Sequence, residues 1–131
     1  MTDTISFDLV SPERLLLSVD AEMVTVPGTD GYIGVMAGHM PLITTLRPGM
    51  IDVQAGGKDE RFFIRGGFAE INAERITVLA EEALRMSEMD IAVIDQRIRD
   101  AEEDLAAART DQEREKAAQI LDDLRLVRAA F

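Results

Sequence analysis

The sequence predicts an α+β protein: an antiparallel β-sandwich of about ten strands over residues 1–85, followed by an antiparallel two-helix hairpin over residues 86–131. Three observations predict it. The run 26–53, VPGTDGYIGVMAGHMPLITTLRPGMIDV, holds five of the nine glycines and three of the four prolines between β-type apolar segments. After Gly67 there are no more glycines, and after Pro48 no more prolines. From Ser87 onward the chain is rich in alanine, leucine and charge, and its apolar period changes from two to that of a helix.

Taken in order, residues 5–10 read as a first strand closed by Ser11-Pro12, 14–20 as a second and 23–26 as a third. Pro27-Gly28 and Asp30-Gly31 are turn dipeptides, so 32–35 should return as a hairpin. Residues 42–46 and 50–53 flank Arg47-Pro48-Gly49, which reads as another reversal, because Pro presets one turn residue and Gly permits the next. Gly56-Gly57, Gly66-Gly67 and 72–74 then separate strands at 61–64, 68–71 and 75–80, a recurrence typical of an antiparallel sandwich or barrel.

Ser87 is the expected N-cap of the first helix, with Asp90 three residues on and Met86 and Ile91 placed as a hydrophobic staple. Ile91, Ile94, Ile98, Ala101, Leu105 and Ala108 repeat at spacings of three and four, which draws one narrow apolar stripe. Thr110 and Glu113 form a T-x-x-E capping box for the second helix, whose stripe is Ala117, Ile120, Leu124, Val127 and Phe131. Facing stripes make a hairpin whose expected interface is Ile91, Ile94, Ile98, Leu105, Ile120, Leu124 and Val127.

Composition narrows the function. The formal charge of −11 is spread over both regions, which argues against a nucleic-acid partner and against adhesion to anionic lipid. No aliphatic run, Leu15-Leu16-Leu17 included, approaches the roughly 20 residues of a membrane span, so no direct membrane insertion is expected, and the N-terminus predicts no secretory leader. With no cysteine and a single histidine, His39, no metal site, cofactor or catalytic constellation is expected. Gly28, Gly31, Gly34 and Gly38 fit neither G-x-G-x-x-G nor a Walker loop, and Gly57-Lys58 lacks the following hydroxyl residue. Glu81-Glu82 and Glu102-Glu103-Asp104 read as solvated charge, and Met23, Met36 and Met50 as core filler.

Several separately spaced blocks carry a resemblance. They are Val10-Ser11-Pro12-Glu13, Val26-Pro27-Gly28 with Gly31 and Gly34-Val35, Gly38-His39-Met40-Pro41-Leu42, Leu46-Arg47-Pro48-Gly49, Gly66-Gly67-Phe68 and Ile76-Thr77-Val78-Leu79-Ala80. In type and order they resemble the ε subunit of bacterial and chloroplast F-type ATP synthases. The resemblance implies a ten-stranded sandwich plus helical hairpin and a non-catalytic coupling role at the foot of the central stalk. It implies γ and the c-ring as partners, the α/β catalytic subunits as further candidates, and a peripheral position on the cytoplasmic face of the bacterial inner membrane. By family position, Thr29, Asp30, Tyr32, His39, Met40 and Leu42 would lie at the c-ring end, while one sheet face and the hairpin meet γ. Tyr32 stands where many relatives carry an acid, which points to an amphipathic contact with less dependence on salt.

In some relatives a nucleotide bound to an I/L-D-x-x-R-A motif holds the hairpin folded. Aligned from Asp90-Ile91, the motif's Asp and Arg positions fall here on Ala92 and Asp95, and in the nearby Ile94-Asp95-Gln96-Arg97-Ile98-Arg99 the Arg comes one residue too late. A slip of one residue turns a helical side chain by roughly 100°, so no nucleotide site is expected. An opened hairpin would approach an acidic loop of the catalytic β subunit. The net charge of residues 87–131 opposes this, although Arg114, Lys116, Arg125 and Arg128 could form a local basic stripe. Two other readings stay open at this point: an ATP-gated inhibitory subunit, and a free β-sandwich adaptor for an unrelated protein.

Overall fold

The computed structural model describes residues 3–131. The chain divides into two compact units, the first ending at Ser87 and the second spanning Glu88–Phe131.

In the first unit, β1 (Ile5–Val10) shows why strict alternation makes a half-buried strand. Ile5, Phe7 and Leu9 point into the core and Ser6, Asp8 and Val10 away from it. β2 (Leu15–Ala21) returns beside β1 after a corner in which the Ser11 amide donates to the Arg14 carbonyl at 2.9 Å. β3 (Met23–Gly28) and β4 (Gly31–Val35) form a hairpin whose loop is Thr29-Asp30 alone. Pro27-Gly28 is therefore the end of a strand and not a turn. The positive backbone angle needed at this corner falls on Gly31, at φ 142°.

β5 (Leu42–Leu46) and β6 (Gly49–Ala55) are not partners. β5 pairs with β8 (Gly67–Ile71), while β6 pairs with β3 and with β7 (Lys58–Ile64). The expected reversal at Arg47-Pro48-Gly49 is instead a crossing from one half of the sandwich to the other. A local bend looks the same in sequence whichever strand it delivers the chain to. Gly56 and Gly57, at φ 60° and 77°, make the two-residue link from β6 to β7 with the left-handed pair a tight hairpin needs. β8 returns as β9 (Arg75–Ala80) around Asn72, whose side-chain oxygen accepts from the amides of Glu74 and Arg75, both at 2.9 Å. A short β10 (Ala83–Arg85), not foreseen from the sequence, lies on β7.

The strand order is β10-β7-β6-β3-β5-β8-β9-β1-β2, with β4 attached to β3. Its two halves meet at the register pair Gly28↔Leu46, and the sheet folds there into a sandwich. Every neighbouring pair is antiparallel except β1 and β9, which run parallel within the otherwise antiparallel sandwich. The core contains Phe7, Leu9 and Ile76 from one half and Val24, Ile51 and Phe62 from the other, all at most 1% exposed. Each such side chain contributes roughly 1.5–3 kcal/mol by burial. At the edge, the Arg85 guanidinium donates to the Glu60 carboxylate and to the Leu16 carbonyl at 3.2 Å, and lies 4.9 Å from the Phe62 ring centre. One side chain thus ties β10 and β7 to β2 in the opposite half.

In the second unit, α1 (Ile91–Ala107) is capped by Asp90, whose carboxylate accepts from the Ala92 amide at 2.9 Å. Ser87, the expected cap, lies in a 3₁₀ turn over Met86–Glu88. Both residues are good cap types, and the one immediately before the first helical residue is used. α2 (Asp111–Ala129) opens at Thr110, whose hydroxyl accepts from the Glu113 amide at 3.1 Å. The Glu113 carboxylate reaches back one residue beyond the cap, to the Arg109 amide at 2.9 Å. The seam between the helices consists of Ile98, Ala101 and Leu105 against Leu121 and Leu124. Ile120 is 37% exposed and Ile91 39%, so Leu121, not Ile120, occupies the interface. Ile94 and Val127 are buried. Asp95 accepts from Arg128 Nε at 2.7 Å between the helices, and buried Asp123 accepts from the Gln119 amide group at 2.8 Å. Among the described residues no helix is long and apolar enough to cross a membrane.

Candidate functional site

The β3–β4 corner is fastened to β5 by two bonds. The Arg47 amide donates to the Pro27 carbonyl at 3.0 Å, and the Thr29 hydroxyl donates to the Thr45 carbonyl at 3.4 Å. Between corner and strand lies an open groove of about 320 Å³ lined by Thr29, Asp30, Tyr32, Ile33, Leu42 and Thr44. Four residues that the family resemblance marked, Thr29, Asp30, Tyr32 and Leu42, are thus brought to one place. Their chemistry is mixed: a carboxylate at the tip, two hydroxyls, an aromatic ring and aliphatic walls. Such a mixture of polar and apolar groups is ordinary for a protein-contact surface.

Tyr32 is held firmly for a residue that is 55% exposed. Its hydroxyl accepts from the Met50 amide at 3.5 Å, and the Arg47 guanidinium lies 5.5 Å from its ring centre. Gly49 makes this seating possible, because a Cβ there would stand 2.9 Å from Pro27 Cβ and 3.1 Å from the Tyr32 hydroxyl. Reading 47–49 as turn residues alone missed this role. Neither Arg47 nor Gly49 carries a sequence signal for it, since both act through a strand that is near only in space.

His39 and Met40 lie in the loop entering β5 and are not among the residues lining the groove. His39 Nδ1 donates to the Met40 carbonyl at 2.7 Å, which fixes the ring against its own loop. The corner is further held by the Gly38 amide, which donates to the Ala73 carbonyl at 2.8 Å, with Gly38 at φ 87°. Met40 is 78% exposed, and Ile43, at the start of β5, is 72% exposed.

A second surface lies on the outer face of the β8-β9-β1-β2 half. Register places Phe68 beside Leu79, Leu79 beside Val10 and Val10 beside Leu15, so one apolar row crosses four strands. Phe68, Leu79 and Leu15 are exposed. The neighbouring row is polar, with Asp8 accepting from the Ser18 hydroxyl at 2.6 Å and from Arg75 at 3.0 Å. On α1, Ala92 is exposed and Asp95 is engaged by Arg128, so the two positions that would answer to the nucleotide motif offer a methyl group and a paired acid. Among the described residues no three His, Asp or Glu side chains are placed to hold a metal ion.

A family model described as ATP synthase, Delta/Epsilon chain, beta-sandwich domain matches residues 4–86. The chain is 45% identical over 129 residues to the ATP synthase epsilon chain of Parvibaculum lavamentivorans, covering 98% of each. It is 44% identical over 132 residues to that of Mesorhizobium japonicum, covering 100% of this chain and 98% of the relative. Among solved structures it resembles a chain of the Euglena gracilis mitochondrial ATP synthase OSCP/F1/c-ring assembly. That likeness has a TM-score of 0.85 at 25% identity and covers 97% of this chain and 81% of the other.

Proposed function

The chain belongs to the ATP synthase delta/epsilon family, and from that premise we propose that it works as a non-catalytic central-stalk subunit, passing rotation between the membrane c-ring and the catalytic head through γ. The observation that carries this reading is the pairing of two separate docking surfaces on one cross-braced sandwich. The groove at Thr29, Asp30, Tyr32 and Leu42 meets the c-ring. The apolar row Phe68, Leu79, Val10 and Leu15 meets γ, together with an exposed face of the hairpin. A sandwich packed from both sheets resists shear, so it passes torque between two such surfaces without yielding locally. The subunit is peripheral, held through the complex at the cytoplasmic face of the bacterial inner membrane.

Regulation by nucleotide is weak in this reading. Asp95 stands where the motif needs a cation and is already bonded to Arg128, so the folded hairpin carries its own cross-helix tie and needs no bound phosphate to close it. Isothermal calorimetry of the full chain with ATP is expected to show no micromolar binding. A micromolar dissociation constant would favour the ATP-gated regulator instead.

The coupling role is tested by pulling down the tagged chain from mildly solubilised membranes, with mass spectrometry of stoichiometric partners. Recovery of γ, the α/β subunits and the c-ring is expected. Recovery of the bare chain, or of an unrelated soluble protein, would overturn the proposal and favour the free adaptor.

A further inference from the structure

Five arginines, Arg65, Arg75, Arg85, Arg114 and Arg128, are spent on carboxylates of their own chain. Arg47 has no such partner among the described residues, although acids outnumber bases 25 to 14. Its guanidinium lies over the Tyr32 ring at 5.5 Å, within the roughly 6 Å reach of a cation–π contact. Its backbone is anchored on both sides, by the hydrogen bond its amide donates to the Pro27 carbonyl and by Pro48, whose ring fixes the next φ. Tyr32 is itself seated by Met50 and by the space Gly49 leaves. A long, rotamer-rich side chain is therefore biased toward the Tyr32 ring, with no acceptor for its guanidinium N–H groups among the described residues.

An arginine ordered in advance loses less entropy when it binds, and its planar fork matches a planar acceptor in a way a lysine ammonium does not. We propose that Arg47, stacked on Tyr32, is the specificity-determining residue of the groove end. It receives a planar acceptor on the partner's polar turn, either a carboxylate or two adjacent backbone carbonyls. This rests on the reading that the groove meets the c-ring, and it adds the chemistry by which that end chooses its partner. The ring supplies hydrophobic contact on one side and holds the cation on the other.

The test measures the affinity of the full chain for purified c-ring in nanodiscs and, separately, for γ, with Arg47→Gln, Arg47→Lys, Tyr32→Leu and Tyr32→Phe beside the parent. Arg47→Gln is expected to weaken c-ring binding by about 10- to 30-fold, the range of a modest interface hot spot, and to leave γ binding unchanged. Arg47→Lys is expected to recover little of that loss, because charge is kept while planarity is not. Tyr32→Leu should fall by ~5- to 10-fold and Tyr32→Phe stay within about 2-fold, since the ring and not the hydroxyl carries the stack. Raising salt separates the acceptors: a carboxylate gives a steep loss of affinity and carbonyls a shallow one. If the parent binds the ring and both Arg47 variants match it, or if Lys fully restores binding, the role of Arg47 is refuted while the c-ring reading stands. If the parent binds γ but not the ring, both fall.

Discussion

Replacing Gly67 by alanine should damage the first unit far more than the same change at any glycine on an open turn. Gly67 sits at φ 129°, and a Cβ placed there would lie 2.1 Å from the Leu79 carbonyl oxygen and 2.9 Å from Ala80 Cα. These are backbone atoms of the adjacent strand, where Ala80 is the register partner of Gly67, so relief requires parting β8 from β9. Holding an L-residue in that region of φ costs about 1–3 kcal/mol, and forcing an extra carbon into a packed site about as much again. Against a total stability on the order of 5–15 kcal/mol the combined loss is large. Gly56→Ala is the control, because its φ of 60° is also left-handed but nothing lies within 4 Å of the added carbon, which leaves a backbone cost of roughly 1–2 kcal/mol. Tyr32 is the only tyrosine and there is no tryptophan, so its fluorescence in a urea titration reports on the first unit alone. At a slope of ~1.5 kcal/mol per molar urea, a 3 kcal/mol loss lowers the midpoint by about 2 M. Midpoints for Gly67→Ala and Gly56→Ala within about 0.3 M of one another would refute the steric argument.

In the second unit, Thr110→Ala removes the cap of α2 and should cost about 1 kcal/mol in urea unfolding followed by helical circular dichroism, with Thr110→Asp restoring most of it. Leu121→Ala should cost ~2–5 kcal/mol and Ile120→Ala under about 1 kcal/mol; the reverse order would return the seam to the residues of the simple three-four repeat. Because Asp95 and Arg128 are each 41% exposed, their pair contributes at most ~1 kcal/mol. Asp95→Asn should therefore speed amide exchange in the last turn of α2 by no more than about 5-fold, and 1 M salt should erase the difference. A difference that survives high salt would show that the bond's geometry, not its charge, holds the turn.

Features decided within a few residues were legible from sequence. The alternation of Ile5, Phe7 and Leu9, the Gly56-Gly57 hairpin, the turn around Asn72 and the Thr110 cap each follow from local sterics or from one side chain bonding its own backbone. What depended on distant partners was not. Arg47-Pro48-Gly49 bends the chain, but whether the next strand lies beside β5 or across the sandwich is settled by which apolar faces need covering. Ala117 and Leu124 admit either Ile120 or Leu121 between them on a helix, and packing against Ile98, Ala101 and Leu105 chooses Leu121. For the candidate site, Thr29, Asp30, Tyr32 and Leu42 were marked by resemblance, since no periodicity singles out an exposed loop. The seat of Tyr32 on Gly49 and the stacking of Arg47 are contacts across strands and leave no pattern along the chain.

The parallel pairing of β1 with β9 sets the order in which this protein can be made. β1 and its hairpin partner β2 leave the ribosome before β9, and the second edge of β1 is covered only when Ser6 meets Arg75 and Val10 meets Leu79. Until those residues appear, the nascent chain carries Ile5, Phe7 and Leu9 on a strand with one unpaired edge, open to pairing with another chain. Closing so long a loop makes this a late and slow step, paid in chain entropy before the sandwich returns any burial energy. The helical hairpin follows in synthesis, and its contacts are local enough to form without waiting for that closure. A stall or truncation before residue 75 would therefore release an aggregation-prone fragment and not a smaller folded domain, whereas one shortly after residue 85 would release a chain with every strand it needs.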